Sequence, residues 1–378
     1  MKKLRIAMIG QKAVPFYRDG GVERHVEELS TRLAERGHDV TVYVRPRYVA
    51  TSDDIWRGVR LRRLPSVPTK HLDAWSHTLF SSVHVVGSGA DIIHYHSVGP
   101  STLAFLPRLF ARRAKIVSTF HSIDRFHKKW GAFARTYLSF GEWAATHFPH
   151  ATIAVSESIQ KYCRERFGKE VAYIPNGVSI VPVSGSGELA RWGLEPGKYI
   201  IAVARLIRHK GLHYLVEAFK RIPDTIKGEM KLVIVGAPSY TSDYEFYLKN
   251  LAAEDHRIIF TGYQTGEALN QLYAHSLFYV HPSEAEGLAI TILEAMSFGK
   301  CVLMSDIPEN LEARDHSGIA FASGNVEDLQ EKMTSLINHP EITRERGKKA
   351  MDFIRQKFEW EKIVDQIESL YLDLVTEK

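Results

Sequence analysis

Residues 277–296 read LFYVHPSEAEGLAITILEAM. The run Leu277 to Val280 is apolar and aromatic, the pattern of a short buried strand, and His281-Pro282-Ser283 ends it. From about Ala289 the sequence turns helix-forming, with Ile290, Ile292, Leu293 and Met296 on the new element. A strand passing through a short polar loop into a helix is one β-α step of a parallel sheet. Glu286 falls in that loop and Glu294 inside the helix. On one continuous helix, eight residues would leave the two side chains about 80° apart, so they would not share a face. One carboxylate reaching from a loop and the other from a helix can grip two parts of one extended, hydroxyl-rich ligand. Gly287 lets the backbone come close to such a ligand. The unpaired amides at the helix start point back at whatever Glu286 holds. Taken alone, the pair reads equally well as a capping carboxylate plus a solvated helix glutamate.

The same alternation runs outward in both directions. LRIAMIG at 4–10, VTVYVR at 40–45, ADIIHYHS at 90–97, AKIVSTFHS at 114–122 and ATIAVS at 151–156 are strand-like runs separated by helix-like segments. Residues 178–192, VSIVPVSGSGELARW, have the Ser/Gly content of a boundary. The alternation then restarts with YIIAVARL, MKLVIVGA, RIIFTGY, LFYVHPS and CVLMS. The expected fold class is therefore α/β, with two open, mainly parallel sheets of Rossmann-like type. Residues 1–180 form the first domain and 181–358 the second. Residues 359–378 form a last helix with an apolar stripe at Ile363, Val364, Ile367, Leu370, Tyr371 and Leu374, which must be buried against something. Ligands of such sheets bind beyond the strand C-termini, so functional residues should sit just after strands.

Composition limits the function classes. The chain has 378 residues, 44% hydrophobic and 25% charged, the balance of a soluble globular protein of more than one domain. Its two cysteines, Cys163 and Cys301, have no metal-ligand spacing and argue against a disulfide framework. No run is long enough to span a bilayer, and the start MKKLRIAMIG reads as a strand rather than an export signal. A cytoplasmic protein is expected. Residues 1–180 hold 27 Lys and Arg against 15 Asp and Glu, whereas the remainder holds 22 against 29. A basic first half fits an anionic partner and fits solvated cationic faces equally well. Nucleic acid is the poorer partner, because no zinc spacing, helix-turn-helix pattern or aromatic RNA-binding signature is present.

Beside the carboxylates stand two cations. ARLIRHKG follows the strand YIIAV and carries Arg205 and Lys210, a fork and a point charge suited to a diphosphate. With E-x7-E in EGLAITILEAM, RL…KG at Arg205 to Gly211, IPNGV at 174–178, GGVERHVEELSTRLAERGHDV at 20–40 and FEW at 358–360, the chain resembles the glycosyltransferases of family four. The resemblance covers almost the whole chain, with its motifs in order.

That resemblance implies a GT-B architecture, two facing Rossmann-like domains, with the C-terminal helix crossing back to the first. It implies a retaining, nucleotide-sugar-dependent enzyme of the cell-envelope or polysaccharide type. The first domain would bind the acceptor and the second the donor. Glu286 would sit against the donor sugar's hydroxyls as a catalytic residue, with the amides of Gly287, Leu288 and Ala289 nearby. Glu294 would bind the ribose. Arg205 and Lys210 would bind the diphosphate, and Gly20 and Gly21 would let the backbone approach the phosphates or the sugar. His121, in STFHS, would contact the sugar near the reacting centre. Gly20-Gly21 could equally be a turn into a helix, and His121 a core histidine like His94 and His96. Tyr263, in FTGYQ, is a candidate contact for the base. The family often carries Glu-Gly-Phe-Gly where this chain has Glu286-Gly287-Leu288-Ala289, which leaves the sugar's identity open.

No Asp-x-Asp occurs. Enzymes that neutralise a diphosphate with Mg²⁺ or Mn²⁺ typically supply such carboxylates. With two cations and helix N-termini in their place, no metal and no cofactor is expected beyond the nucleotide sugar as co-substrate. The acceptor side mixes apolar and basic residues. LAFLPRLFARRAK sets Leu103, Leu106, Leu109 and Phe110 among Arg108, Arg112, Arg113 and Lys115. DRFHKKWGAFAR sets Phe126, Trp130 and Phe133 among Lys128, Lys129 and Arg135. Such stretches suit an anionic membrane surface, at about 1 kcal/mol per cation near it. The expected partner is a lipid-linked or cell-envelope glycan acceptor, with the protein peripheral on the inner face of the cell membrane. Two other functions fit the same scaffold: an epimerase or phosphorylase, and a two-lobed protein that closes on a sugar without reacting. Base, sugar, acceptor and linkage are not legible in the sequence.

Overall fold

The computed structural model describes residues 2–15, 20–69, 72–123, 132–238, 243–286, 289–314 and 317–376, with side chains from 135 onward in the fourth of these stretches. The chain divides into two compact units, Met1–Gly177 with Trp360–Lys378, and Val178–Glu359.

The first unit is built on strands β1 (Arg5–Ile9), β2 (Asp39–Val44), β3 (Ile55–Trp56), β4 (Val59–Arg63), β5 (Ile92–His96), β6 (Lys115–Phe120), β7 (Ala151–Ala154) and β8 (Ala172–Tyr173). Their order is β3-β4-β2-β1-β5-β6-β7-β8, parallel except for the edge pair β3-β4. The central strands are buried because both faces are covered: Ile6, Met8 and Ile9 are buried, as are Ile92 and Ile93, and β5 and β6 bury His94, His96, Ser118 and Thr119 among them. The hairpin β3-β4 and strand β8 have no counterpart in the sequence reading. β4, VRLRR, buries only Val59 and Leu61 and turns its arginines outward.

The helix Trp360–Thr376 belongs to this unit and packs on the helix Gly21–Glu35. Trp360, Ile363, Val364, Ile367, Tyr371 and Leu374 join the core beneath β1 and β2. Arg36 clamps the helix through Asp365 at 2.6 Å, Glu361 at 2.7 Å and Glu368 at 2.7 Å. Gly177 is where this unit's chain leaves for the other, and a Cβ there would overlap the Trp360 ring.

The second unit holds β9 (Tyr199–Val203), β10 (Lys231–Val235), β11 (Ile258–Gly262), β12 (Tyr279–His281), β13 (Val302–Ser305) and β14 (Ile319–Phe321), all parallel in the order β11-β10-β9-β12-β13-β14. The Ser/Gly run at 178–192 lies wholly within this unit. It forms a 3₁₀ turn over Gly187–Trp192, buries Leu189 and donates the Glu188 amide to Gln271 Oε1 at 2.9 Å. In each sheet the strand order reverses beside the first strand, between β1 and β5 and between β9 and β12. Those two reversals are the crevices where an open α/β sheet accepts ligands.

Candidate functional site

The loops after β9 and β12 leave from adjacent strands and are held together by backbone. Glu284 donates its amide to the His209 carbonyl at 2.9 Å. Gly211, at φ +65°, lies against the Pro282 carbonyl, where a Cβ would overlap the oxygen. This contact carries Lys210, the residue before it, onto Glu286.

Glu286 Oε1 receives three donors: Lys210 Nζ, Ser283 Oγ at 2.6 Å and His281 Nε2 at 2.9 Å. Burial pushes the Glu286 carboxyl up, and Lys210, followed by His281, more than reverses this and leaves it well below the usual carboxylate range. Burial also lowers the His281 imidazole from its ordinary value. A neutral ring that donates Nε2–H to a carboxylate must accept at Nδ1, and Tyr279 OH lies 3.0 Å from that atom. Tyr279 OH also lies 3.3 Å from the Val203 carbonyl, so its single proton serves either that oxygen or His281 Nδ1. Among the described residues all these donors fall on Oε1, so Oε2 is left to accept from something else.

Glu294 is buried on the helix Ile290–Ser297 and accepts from Tyr273 OH at 3.1 Å. It shares a neighbourhood with Glu286 through Tyr279: burial raises that phenol's pKa, and both carboxylates add to the rise. Arg205 follows β9 by two residues, exposed, with no side-chain ion pair among the described residues. Ala289 is the N-cap of the helix, while Gly287 and Leu288 lie outside the described residues. Tyr263 follows β11 at the sheet edge, two strands from β9. Sequence reasoning singled out neither His281, Ser283 nor Tyr279, although they lie five, three and seven positions before Glu286.

The remaining candidates are in the first unit. Gly20 caps the helix Gly21–Glu35, and a Cβ there would overlap the Glu23 carboxylate, which itself accepts from the Lys12 amide at 3.3 Å. Close packing within the turn is thus reason enough for a glycine. His121 follows β6, buried, with Nε2 3.3 Å from His96 Nδ1. His94 is satisfied on both nitrogens, by Tyr371 OH at 2.6 Å and Thr119 Oγ1 at 2.7 Å, and is a core histidine.

The sequence model of the family described as Glycosyltransferase Family 4 matches residues 19–181, and that described as Glycosyl transferases group 1 matches residues 190–370. The chain is a family-4 glycosyltransferase. A relative with a stated activity, glycogen synthase of Mycobacterium tuberculosis, is 26% identical over 98% of this chain and 94% of its own. Among solved structures, sucrose-phosphate synthase from Thermosynechococcus elongatus superimposes with a TM-score of 0.85 at 21% identity, covering 100% of both chains. HepE of Anabaena, in complex with UDP and glucose, gives a TM-score of 0.80 at 19% identity, covering 98% of this chain and 100% of its own. The fold of this glycosyltransferase is accordingly GT-B.

Its first unit exposes apolar side chains beside cations. On the short helix Phe105–Phe110, Leu109 is 57% and Phe110 67% exposed, next to exposed Arg108, Arg112 and Arg113. Leu103 is buried and Leu106 half-buried. The second basic-aromatic stretch, with Phe126, Lys128, Lys129 and Trp130, lies outside the described residues, as does the side chain of Phe133; Arg135 is exposed. Among the described residues no helix is long and apolar enough to cross a membrane.

Proposed function

We propose that this glycosyltransferase moves a sugar from a nucleoside-diphosphate sugar to a lipid-linked or cell-envelope glycan, with retention of configuration and without a metal at the diphosphate. The observation that carries the reading is the asymmetric clamp on Glu286. A carboxylate held ionised on one oxygen, with the other left to accept, is built to receive donor-sugar hydroxyls. Lys210 uses one of its three N–H donors on Glu286 and keeps the others for phosphate oxygens. Arg205 adds a fork at the same end of the sheet. As the bond from the anomeric carbon to the diphosphate breaks, negative charge grows on the leaving group, where these two cations stabilise it. The acceptor oxygen enters on the face the diphosphate leaves, and its proton passes to a departing phosphate oxygen. Within the second unit, Glu294 would take the ribose and Tyr263 the base. The neighbour solved with UDP and glucose supports a nucleotide-sugar donor. The exposed Leu109 and Phe110 among arginines support an acceptor presented at an anionic membrane.

The test is a thermal-shift panel of UDP, GDP, ADP and dTDP, then transfer assayed as release of the nucleoside diphosphate that binds. Glu286→Ala should cut transfer by at least a hundredfold, roughly the loss of one preorganised transition-state contact, while nucleotide binding persists. Arg205→Ala should weaken nucleotide binding about tenfold, the value of one charge-assisted hydrogen bond. EDTA should leave transfer intact. Loss of activity restored by Mn²⁺, or nucleotide binding indifferent to Arg205, would overturn the reading.

A further inference from the structure

Ser283 holds Glu286, and Ser283 is itself held from the next strand. The ladder between β12 and β13 ends at His281 and Met304. Pro282 follows, with no N–H to carry the pairing on. Beyond it Ser305, the last residue of β13, donates its hydroxyl to the Ser283 carbonyl. Asn310, on the helix Pro308–Arg314, donates Nδ2–H to Ser305 Oγ at 2.9 Å. Ser283, Ser305 and Asn310 are all fully buried. We propose that Ser305 and Asn310 are positioning residues for sugar transfer, setting Glu286 through Ser283, a role that rests on the donor-site reading above.

Three observations carry this. The first is direction. The Ser283 carbonyl can only accept, so the Ser305 hydroxyl must donate to it. Ser305 Oγ is then left to accept, which requires the nitrogen of the Asn310 amide to face it. Each group fixes the next, and the chain ends where Ser283 Oγ donates to Glu286 Oε1 at 2.6 Å. The second is convergence. β12 lies between β9 and β13, and three consecutive residues of the loop after it are pinned from those two sides. From the loop after β9, Gly211 lies against the Pro282 carbonyl and the His209 carbonyl accepts the Glu284 amide. From β13, Ser305 takes the Ser283 carbonyl. Without Ser305 the loop is pinned on one side, and the free oxygen of Glu286 can turn with Ser283. The third is an atom that packing does not explain. Among the described residues, Asn310 Oδ1 is buried without a partner. An acceptor in that state is costly, and leucine would fill a similar space without the cost. Stability alone does not account for an asparagine here, whereas a donor aimed at Ser305 does.

Losing this support should cost rate rather than nucleotide affinity, because Arg205 and Lys210 are placed by the loop after β9. A reacting group misplaced by about 1 Å can lose roughly a hundredfold in rate, and a loop that keeps its other two pins should lose about tenfold.

The experiment uses the full chain and follows nucleoside diphosphate released from UDP-, GDP-, ADP- and dTDP-glucose. Ser305→Ala and Asn310→Leu should each lower kcat about tenfold and leave KM for the donor and Kd for the free nucleotide within about twofold. Calorimetry checks that each variant is folded, and Asn310→Leu, close in volume, keeps the test decisive if Ser305→Ala is not. Ser276→Ala is the control. It removes an equally buried hydroxyl from the Tyr273 carbonyl, ahead of β12 at the opposite end of the sheet, and should leave kcat unchanged. In a Glu286→Ala background, Ser305→Ala should cost nothing further, because it acts through that carboxylate. A merely structural role would lower kcat by the same factor in both backgrounds. That result, or an unchanged kcat in Ser305→Ala and Asn310→Leu while Glu286→Ala is impaired, overturns the proposal and leaves the donor reading standing. Release that does not depend on Glu286, or no release at all, removes the donor reading and the proposal with it.

Discussion

Replacing Lys210 by methionine keeps the length of the side chain and removes its charge from Glu286. Lys210 and Glu286 are 12% and 10% exposed, so neither charge is well hydrated. Removing one partner of a buried pair costs about 3–5 kcal/mol, because the other charge remains desolvated. Here Ser283 and His281 still donate to Glu286, so about 2–4 kcal/mol is expected at pH 7. For a unit of this size that lowers Tm by roughly 5–15 °C, read by calorimetry. The pH dependence has a definite sign. In the unsubstituted protein the folded-state pKa of Glu286 lies well below 4.5, so its stabilisation is present above 4.5 and lost as pH falls through the lower folded value. In Lys210→Met the largest opposing influence is gone and burial raises the carboxyl. The gap between the two proteins should therefore be full at neutral pH and close under acid. Glu286→Gln supplies the second corner of a double-mutant cycle, in which Lys210→Met should cost about 1–3 kcal/mol less than it does alone. Equal costs in both backgrounds, or a gap that widens under acid, would refute the coupling.

Two further outcomes follow from the first unit. Burial lowers His25 to about 4 and His94 to about 3, from 6.5, so the unfolded chain takes up protons first. Stability should then fall as pH drops below 6.5, by about 2 kcal/mol per histidine at pH 5, and His94→Gln should flatten the urea-midpoint profile between pH 5 and 6.5. Ile367→Ala, at a fully buried position of the C-terminal helix, should cost about 2–5 kcal/mol in urea unfolding. A cost under 1 kcal/mol would show that this helix is not part of the first unit's core.

Much of the fold was legible because parallel strands covered on both faces are written as unbroken apolar runs, as in YIIAV and KLVIV. The elements that escaped are those where this signal fails. β3 and β8 are two residues long, β14 is three, and β4 alternates valine and leucine with arginine. In the site, Glu286, Lys210 and Arg205 could be found because charged residues just after strands stand out against an apolar background. The partners of Glu286 could not: hydrogen-bond geometry decides that Ser283 and His281 reach one oxygen and spare the other. For Gly20 the visible signal admits a local explanation, since Glu23 occupies the space a side chain would need.

The two reversals in strand order use the same device, and it can be tested. At each, a glycine after the first strand presses against the end of the strand across the reversal or the loop that follows it. Gly211 lies under the Pro282 carbonyl at φ +65°, and Gly10 under the His96 carbonyl at φ +120°. An alanine at either position must move the backbone that places Lys210 on Glu286, or His96 beside His121. Gly168 is the comparison: it has φ +63° at a helix C-terminus, with nothing within 4 Å of an added Cβ. Gly168→Ala should therefore cost only the left-handed penalty of about 1–2 kcal/mol. Gly211→Ala has the same penalty plus a clash with backbone, which cannot rotate aside, and should cost at least about 2 kcal/mol more. It should also weaken nucleoside-diphosphate binding, which Gly168→Ala should leave unchanged. If both alanines cost the same in urea unfolding, the close approach of the two loops is not what positions Lys210, and the clamp on Glu286 has another origin.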